Sequence, residues 1–336
     1  MAKKKIFISG IAGFLGSHLA DVFIAEGHHV VGCDNLVGGS LKNVPSEAEF
    51  YRFDCNDLKA MIKITKEVDI VYHCAALAYE GLSVFSPFIV TNSIVGASVG
   101  VFTAAINNKA KRIVLCSSMA RYGKNKVPFT EDMKPCPQDP YGIGKYSSEL
   151  YLRNMCETHG VEYVIAVPHN IIGPRQKYDD PYRNVASIMI NLMLQGMQPI
   201  IYGNGAQKRC FSSIYDCLDV LQKMAFEDNV IGEVINIGPD EEFVTINELT
   251  QIIANLLEFE LNPIYLGERP QEVMYANCSV DKARRLLGYK TKHTLRNSLK
   301  ELIDYIKKEG PKPFEYHISL EIINEKTPDA WIKRIF

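Results

Sequence analysis

Short apolar runs alternate with amphipathic stretches through the first half of the chain. KIFISG, HHVVGCD, EFYRFD, DIVYHCA, RIVLCSS and EYVIAVP are rich in β-branched and aromatic residues and read as strands. Between them, SHLADVFIAEG, DLKAMIKITKE, a longer segment from about Val84 to Asn107, and YGIGKYSSELYLRNMCETHG read as helices. Near-continuous apolar strands alternating with helices indicate a parallel sheet covered on both faces. Right-handed crossovers then give a Rossmann-type, doubly wound α/β fold. After about Pro174 the rhythm changes, and Gly, Pro and polar clusters thicken, as in GPRQKYDDPYRN and YGNGAQKRCFSS. Helical patterns continue in VASIMINLMLQG, CLDVLQKMAFED, INELTQIIANLL and LRNSLKELIDYIKKEG. The expected organisation is a Rossmann domain over 1–174, with a segment of about 206–240 returning to it. A smaller mixed α/β lobe over 175–310 and a C-terminal arm over 311–336 follow.

Composition narrows the class. A chain of 336 residues, 47% hydrophobic and 23% charged, is ordinary for a soluble globular protein of one or two domains. Lys plus Arg number 37 against 39 Asp plus Glu, for a net charge of −2, so no nucleic-acid partner is expected. The nine cysteines are scattered, odd in number and lack CxxC spacing, and the eight histidines show no zinc pattern. Buried free thiols, a reducing cytoplasm and no metal site are the expectation. The N-terminal MAKKKIFISGIAGFLG mimics a signal peptide, but Gly10, Gly13, Gly16, His18 and Asp21 interrupt it. No other apolar run of 18 residues is visible, so no membrane span is expected.

Gly10, Gly13 and Gly16 fall between an apolar strand and a helix start. That setting suits a tight turn and close approach of a pyrophosphate to the helix N-terminus. HHVVGCD ends in Asp34, 18 residues past Gly16. An acid there accepts the ribose hydroxyls of an adenosine and repels a 2′-phosphate, favouring NAD over NADP. A strand-end turn residue would look the same. Asp54 ends the next strand, where it faces the adenine.

DPYGIGKYSSE spaces Tyr141 and Lys145 four residues apart, on one face of a helix. An ammonium beside a phenol favours phenolate, which makes a base usable near neutral pH. An exposed aromatic–cation pair has the same spacing. Ser117 and Ser118 end the strand RIVLCSS, at the edge where ligands bind in open parallel sheets.

These motifs recur in a set. GIAGFLG, Asp34-Asn35, HCAAL, TNSIVG, SSMARYG, PYGIGK, HNIIGPR, YGNGAQKRCFSSIYD, RPQEV and DKARRLLGY occur in order over most of the chain. The sequence thus resembles the extended short-chain dehydrogenase/reductases, specifically the NAD-dependent nucleotide-sugar epimerase/dehydratases of the UDP-glucose 4-epimerase kind. The resemblance implies that Ser118 and Tyr141 meet the sugar O4, with Tyr141 as base. Lys145 would hold the nicotinamide ribose and lower the phenol's pKa. It implies NAD contacts from Gly10, Gly13, Phe14, Leu15, Gly16, Asp34, Asn35, Asp54, Cys55, Cys74, Ala75, Ala76, Asn92 and Ser117, besides Tyr141 and Lys145. It implies contacts to a nucleotide-diphosphate sugar from Tyr79, Ser118, Met119, Asn170, Arg209, Arg269 and Glu272. UDP-sugars are favoured, GDP- or dTDP-sugars being alternatives, and a homodimer is implied. Ser83, His169, Tyr178 and Tyr182 are further pocket candidates.

The reaction follows from what is missing. The family's 4,6-dehydratases carry an Asp-Glu pair after the active-site Ser/Thr; here Met119 and Ala120 stand there, and neither transfers a proton. The same absence opposes a decarboxylase that needs a glutamate. A 4-epimerase is the expectation. A C4 dehydrogenase releasing a keto sugar, or a non-catalytic NAD-binding scaffold, are the alternatives. Val167-Pro168, Cys210 and Met119 depart from the family pattern and leave the sugar open. Arg121 is expected to be a surface residue, or a contact to phosphate or carboxylate.

Overall fold

The structure is a computed structural model that describes residues 2–336. Its centre is a seven-stranded parallel sheet. All six expected strands are in it: β1 (Lys5–Ser9), β2 (His29–Asp34), β3 (Glu49–Arg52), β4 (Ile70–His73), β5 (Arg112–Cys116) and β6 (Glu162–Pro168). The seventh, Val234–Ile237, pairs with β6, and the order is Val234–Ile237, β6, β5, β4, β1, β2, β3. The chain reverses its direction of travel across the sheet between β1 and β4. Ligands bind at such a point in open α/β sheets.

The strands are apolar because both faces are buried. Ile6, Ile8, Tyr72 and Val114 face one helix layer, with Leu19 and Phe23 of α1 (Phe14–Ala25). Their alternates Phe7, Val71, Ile113 and Leu115 face the other layer, with Val101 and Phe102. Each fully buried side chain of this size contributes roughly 1.5–3 kcal/mol.

The expected helix between Val84 and Asn107 is α4 (Pro87–Thr91), a π-turn at Asn92–Gly96, and α5 (Ala97–Asn107). Contrary to the sequence expectation, these 21 residues are long and apolar enough to cross a membrane. Packing accounts for the composition: Val90, Ile94, Ala97, Val101 and Phe102 are buried, while Phe88 and Ile89 are not. Helix α6 (Pro140–His159) starts with Asp139 as N-cap, accepting the Gly142 N–H at 2.9 Å, and with Pro140 in the first turn. It ends at Gly160 in the left-handed region.

A separate core joins α7 (Val185–Leu194), α9 (Ile246–Leu257) and α11 (Leu295–Glu309) through Ile190, Leu249, Ile253, Leu299 and Leu302. Residues 311–336 fold back over the first lobe. Glu321 accepts the N–H groups of Phe88 and Ile89 at 2.8 and 2.9 Å, at the positive end of α4. Ile318 and Trp331 pack in one cluster with Tyr79, Leu82, Tyr141 and Tyr182.

Candidate cofactor and active site

A cleft of about 480 Å³ opens at the carboxyl ends of the strands, between the sheet and the second core. One end is built by the glycine turn. Gly10 has φ +74°, and a Cβ there would sit 2.9 Å from the Ala75 backbone nitrogen. A Cβ at Gly16 would sit 2.2 Å from the Gly10 carbonyl oxygen. The turn thus leaves backbone, not side chains, facing the cleft, with Phe14 and Leu15 opening α1 there. Asp34 stands opposite and accepts the N–H groups of Ala12 (3.1 Å) and Leu36 (2.7 Å), which leaves lone pairs for a ligand's hydroxyls. Burial pushes its carboxyl up, and those backbone donors pull it back. Asp54 accepts from Asn35 (2.7 Å) and from the Asn56 backbone (2.9 Å). Its burial acts to raise the carboxyl, but these hydrogen bonds win and hold it low.

The segment Cys74–Ala76 is set by a buried relay. His73 bridges the hydroxyls of Ser9 (2.7 Å) and Ser98 (2.9 Å), and Ser9 accepts the N–H groups of Cys74 and Ala75. Burial, then the Lys145 charge, pushes His73 down to about 3, so the imidazole is neutral. These residues fit a dinucleotide: a side-chain-free turn, an acid at the end of β2 and a backbone shelf between them. Gly10, Gly13, Gly16, Asp34, Asn35, Asp54, Cys55, Cys74, Ala75, Ala76 and Ser117 all line the cleft. Asn92 does not: it is exposed, and its neighbour Ser93 lines the wall.

Ser118, Met119, Tyr141 and Lys145 meet at the middle of the cleft. Helix α6 places Tyr141 and Lys145 on one face, as their spacing requires, but the ammonium does not serve the phenol as expected. Lys145 Nζ donates to the Cys116 carbonyl at 2.8 Å and lies 6.0 Å from the Tyr141 ring centre. Burial dominates Tyr141 and pushes its phenol up to about 12. The Ser118 hydroxyl and the Arg183 guanidinium pull it down, while the carboxyls of Glu80 and Asp139 push it up. The sequence expectation of a depressed phenol is therefore corrected for the protein alone, because desolvation outweighs the nearby cation.

Ser117 donates its hydroxyl to Glu149. Arg121 pairs with the same carboxylate at 3.0 Å, and both charges are buried. Arg121 is thus an interior residue, not a surface one, and its carboxylate partner belongs to the protein.

At the far end, Arg269 pairs with Glu272 at 2.8 Å, and Arg209 lies 4.0 Å from the same carboxylate. Asn170 donates to the Cys210 carbonyl at 2.9 Å beside Met119. Arg209, Arg269, Glu272, Asn170 and Met119 line the cleft, as does Tyr182. Tyr79 does not: it lies fully buried behind the wall, where its hydroxyl donates to Asp180 (2.6 Å) and meets His317 (3.1 Å). Ser83, His169 and Tyr178 also stand off the wall. Ser83 accepts the Tyr141 N–H at 3.1 Å, and His169 bonds the Pro239 carbonyl at 2.9 Å.

Three charged residues of the wall escaped sequence reasoning: Arg183, Glu80 and Lys177, the last paired with Asp179 at 3.1 Å. Arg183 lies over the Tyr79 ring at 4.8 Å and reaches the Gly38 backbone. Glu80 opens the short helix α3 (Glu80–Ser83), next to Gly81. Glu80 is exposed toward the open cleft; desolvation by the cleft walls raises its carboxyl, Arg209 and Arg269 oppose that, and Glu272 adds to it. Asp139 is pushed up to about 7 by burial and then by Glu80. No motif marks these residues: the arginines that act on Glu80 lie far along the chain, and Arg183, besides its neighbour Asp180, stacks on the distant Tyr79.

A glycine-cornered Rossmann cleft with a Ser/Tyr/Lys set at its centre defines the extended short-chain dehydrogenase/reductases. Within that class, the chain belongs to the NAD dependent epimerase/dehydratase family, whose sequence profile matches residues 6–238. It is 33% identical over 307 residues to a proposed UDP-glucose 4-epimerase of Methanocaldococcus jannaschii, covering 90% of this chain and 98% of that one. The UDP-glucose 4-epimerase of Thermotoga maritima, solved with UDP-glucose, superposes with a TM-score of 0.85 at 30% identity, covering 91% of this chain and 99% of that one. The UDP-glucuronic acid 4-epimerase of Bacillus cereus, solved with UDP-glucuronic acid and NAD, gives 0.85 at 28% identity, covering 91% and 100%.

Two outcomes test this geometry. Gly16→Ala weakens NAD binding by tenfold or more, on the order of 1.4 kcal/mol, because its methyl displaces the turn. Fluorescence titration reads this, and unchanged affinity contradicts it. In cofactor-free protein, Tyr141 contributes no phenolate absorbance up to about pH 10, judged against Tyr141→Phe. A Tyr141-dependent step below that pH contradicts the burial argument.

Proposed function

We propose that the chain is a nucleotide-sugar 4-epimerase, with UDP-sugars favoured, acting through transient oxidation at the sugar C4. The observation that carries this reading is one cleft with Ser118, Tyr141 and Lys145 at its centre. The glycine turn stands at one end and the Arg209–Arg269 pair at the other. Relatives named for UDP-glucose and UDP-glucuronic acid 4-epimerisation support it.

NAD, when bound, supplies hydride acceptance and return at the carbinol carbon. The chain's residues do the rest. Tyr141 takes the C4 hydroxyl proton and gives it back when the carbinol re-forms. Ser118 orients that oxygen. Lys145, anchored on the Cys116 carbonyl, adds positive charge beside the reacting centre without occupying it. Arg209 and Arg269 suit the two phosphates as guanidinium forks. Holding the sugar by its diphosphate leaves the hexose free to turn and present its other face. Met119 and Ala120 cannot carry a proton, which opposes the dehydratase and decarboxylase reactions.

Incubation with UDP-, GDP- and dTDP-hexoses tests the reaction. An epimer without net NADH supports the proposal; a released ketone with accumulating NADH points to a C4 dehydrogenase instead. Tyr141→Phe keeps NAD binding and loses roughly 10²-fold or more in turnover. Unchanged turnover refutes the role.

A homodimer is part of the proposal. Ile143, Leu150 and Tyr151 form an exposed stripe on α6, beside exposed Phe88 and Ile89 of α4. An apolar stripe on paired helices suits a helix-bundle interface. Leu150→Asp with Tyr151→Asp yields a monomer in sedimentation, whereas an unchanged species rules out this face. All nine cysteines are free, which suits a reducing compartment, and we place the protein in the cytoplasm.

A further inference from the structure

We infer that Glu80 makes the sugar subsite selective for an uncharged hexose over a uronate, by presenting to the ring a carboxylate that has no hydrogen-bond or ion-pair partner among the described residues. The inference rests on the reading that the cleft takes a nucleotide-diphosphate hexose.

Glu80 stands between two fixed points. On one side are Tyr141 and Asp139, tied to the same short helix by Ser83, which accepts the Tyr141 N–H at 3.1 Å and lies 3.5 Å from the Asp139 carboxylate. On the other are Arg209 and Arg269, which line the same cleft. The contact with the arginine side is close: a Cβ on the adjacent Gly81 would lie 3.2 Å from Arg269 Nη1. If the phenol meets the C4 oxygen and the arginines meet the phosphates, the hexose ring lies between them. That is where Glu80 stands.

The balance of charge then decides what the ring can carry. Every cation lining the cleft is already partnered. Lys145 holds the Cys116 carbonyl, Lys177 pairs with Asp179 at 3.1 Å, and Arg183 lies 3.5 Å from Asp180. Arg209 and Arg269 share Glu272 and face the diphosphate. Among the described residues, the Glu80 side chain has no hydrogen-bond or ion-pair partner, so its acceptor capacity is free for a ligand. A sugar hydroxyl donates to such a carboxylate in a charge-assisted hydrogen bond. A sugar carboxylate meets a like charge instead, with no free cation to offset it. Across a ring width of ~6 Å, at an effective dielectric of ~20, like charges cost affinity on the order of 10²-fold. The family spans both substrate types, as its UDP-glucose and UDP-glucuronic acid members show. Family membership alone therefore leaves the choice open.

Calorimetric titration of the NAD-loaded protein with UDP, UDP-glucose, UDP-N-acetylglucosamine and UDP-glucuronate tests this. The native protein binds at least one neutral sugar nucleotide roughly 10²-fold more tightly than UDP-glucuronate. Glu80→Gln narrows that ratio by about tenfold or more while UDP still binds, which reports an intact fold. Glu80→Asp, which keeps the charge, keeps the discrimination. Equal or tighter binding of UDP-glucuronate by the native protein overturns the inference, as does a ratio that Glu80→Gln does not change. Failure of every compound to bind, UDP included, removes the reading of the cleft and this inference with it. That result is distinct from UDP binding without discrimination.

Discussion

The site depends on a buried ammonium. Lys145 reaches from α6 to the Cys116 carbonyl, the last residue of β5. That bond ties the helix to the strand whose next residues are Ser117 and Ser118. Burying a lysine is costly, and its pKa falls accordingly. The Cys116 carbonyl and the Glu149 carboxylate compensate part of that cost. A second tie supports the first: Asp139 caps the helix, and Ser83 accepts the Tyr141 N–H, so the phenol's backbone is fixed from both sides. Phenol, hydroxyl and ammonium therefore face one cleft because three backbone contacts leave them little freedom. Such preorganisation is what places reacting groups within near-attack distance.

The rest of the cleft is an exercise in distributing charge. Burial above all drives the Tyr141 phenol up, with Glu80 and Asp139 adding to it, so a nearby cation does not make it a ready base in the protein by itself. A bound nicotinamide cofactor would add positive charge to the cleft and would shift that balance toward phenolate, as an opposite charge at close range does. Base strength and cofactor loading would then be coupled. The arginines at the far end are held by Glu272 until a stronger anion competes. Carboxylates occupy the middle, and that asymmetry suits a ligand charged at one end and neutral at the other.

Much of this was legible in the sequence. The six strands read clearly because a sheet buried on both faces needs continuous apolar runs. The glycine turn and the Tyr141–Lys145 pair read clearly because each is a local pattern tied to one element. What failed was phase and distance. The π-turn at Asn92–Gly96 adds a residue to the helical turn, so Ser93, not Asn92, lines the wall. At the turn into α3, Tyr79 points inward to Asp180 and His317, and its neighbour Glu80 takes the cleft. Arg121 was read as exposed because its partner Glu149 lies a full helix away. The phenol's raised pKa had no signature, since desolvation depends on everything packed around a group.

The central claim is that one cleft oxidises and re-reduces the same carbon, with one dinucleotide retained throughout. The direct test is turnover of a UDP-hexose carrying deuterium at C4, in ordinary water, with the product read by NMR and mass spectrometry. The account predicts an epimer that keeps its C4 deuterium, with no NADH in solution. Loss of that deuterium to solvent, or a ketone released with equivalent NADH, would contradict it.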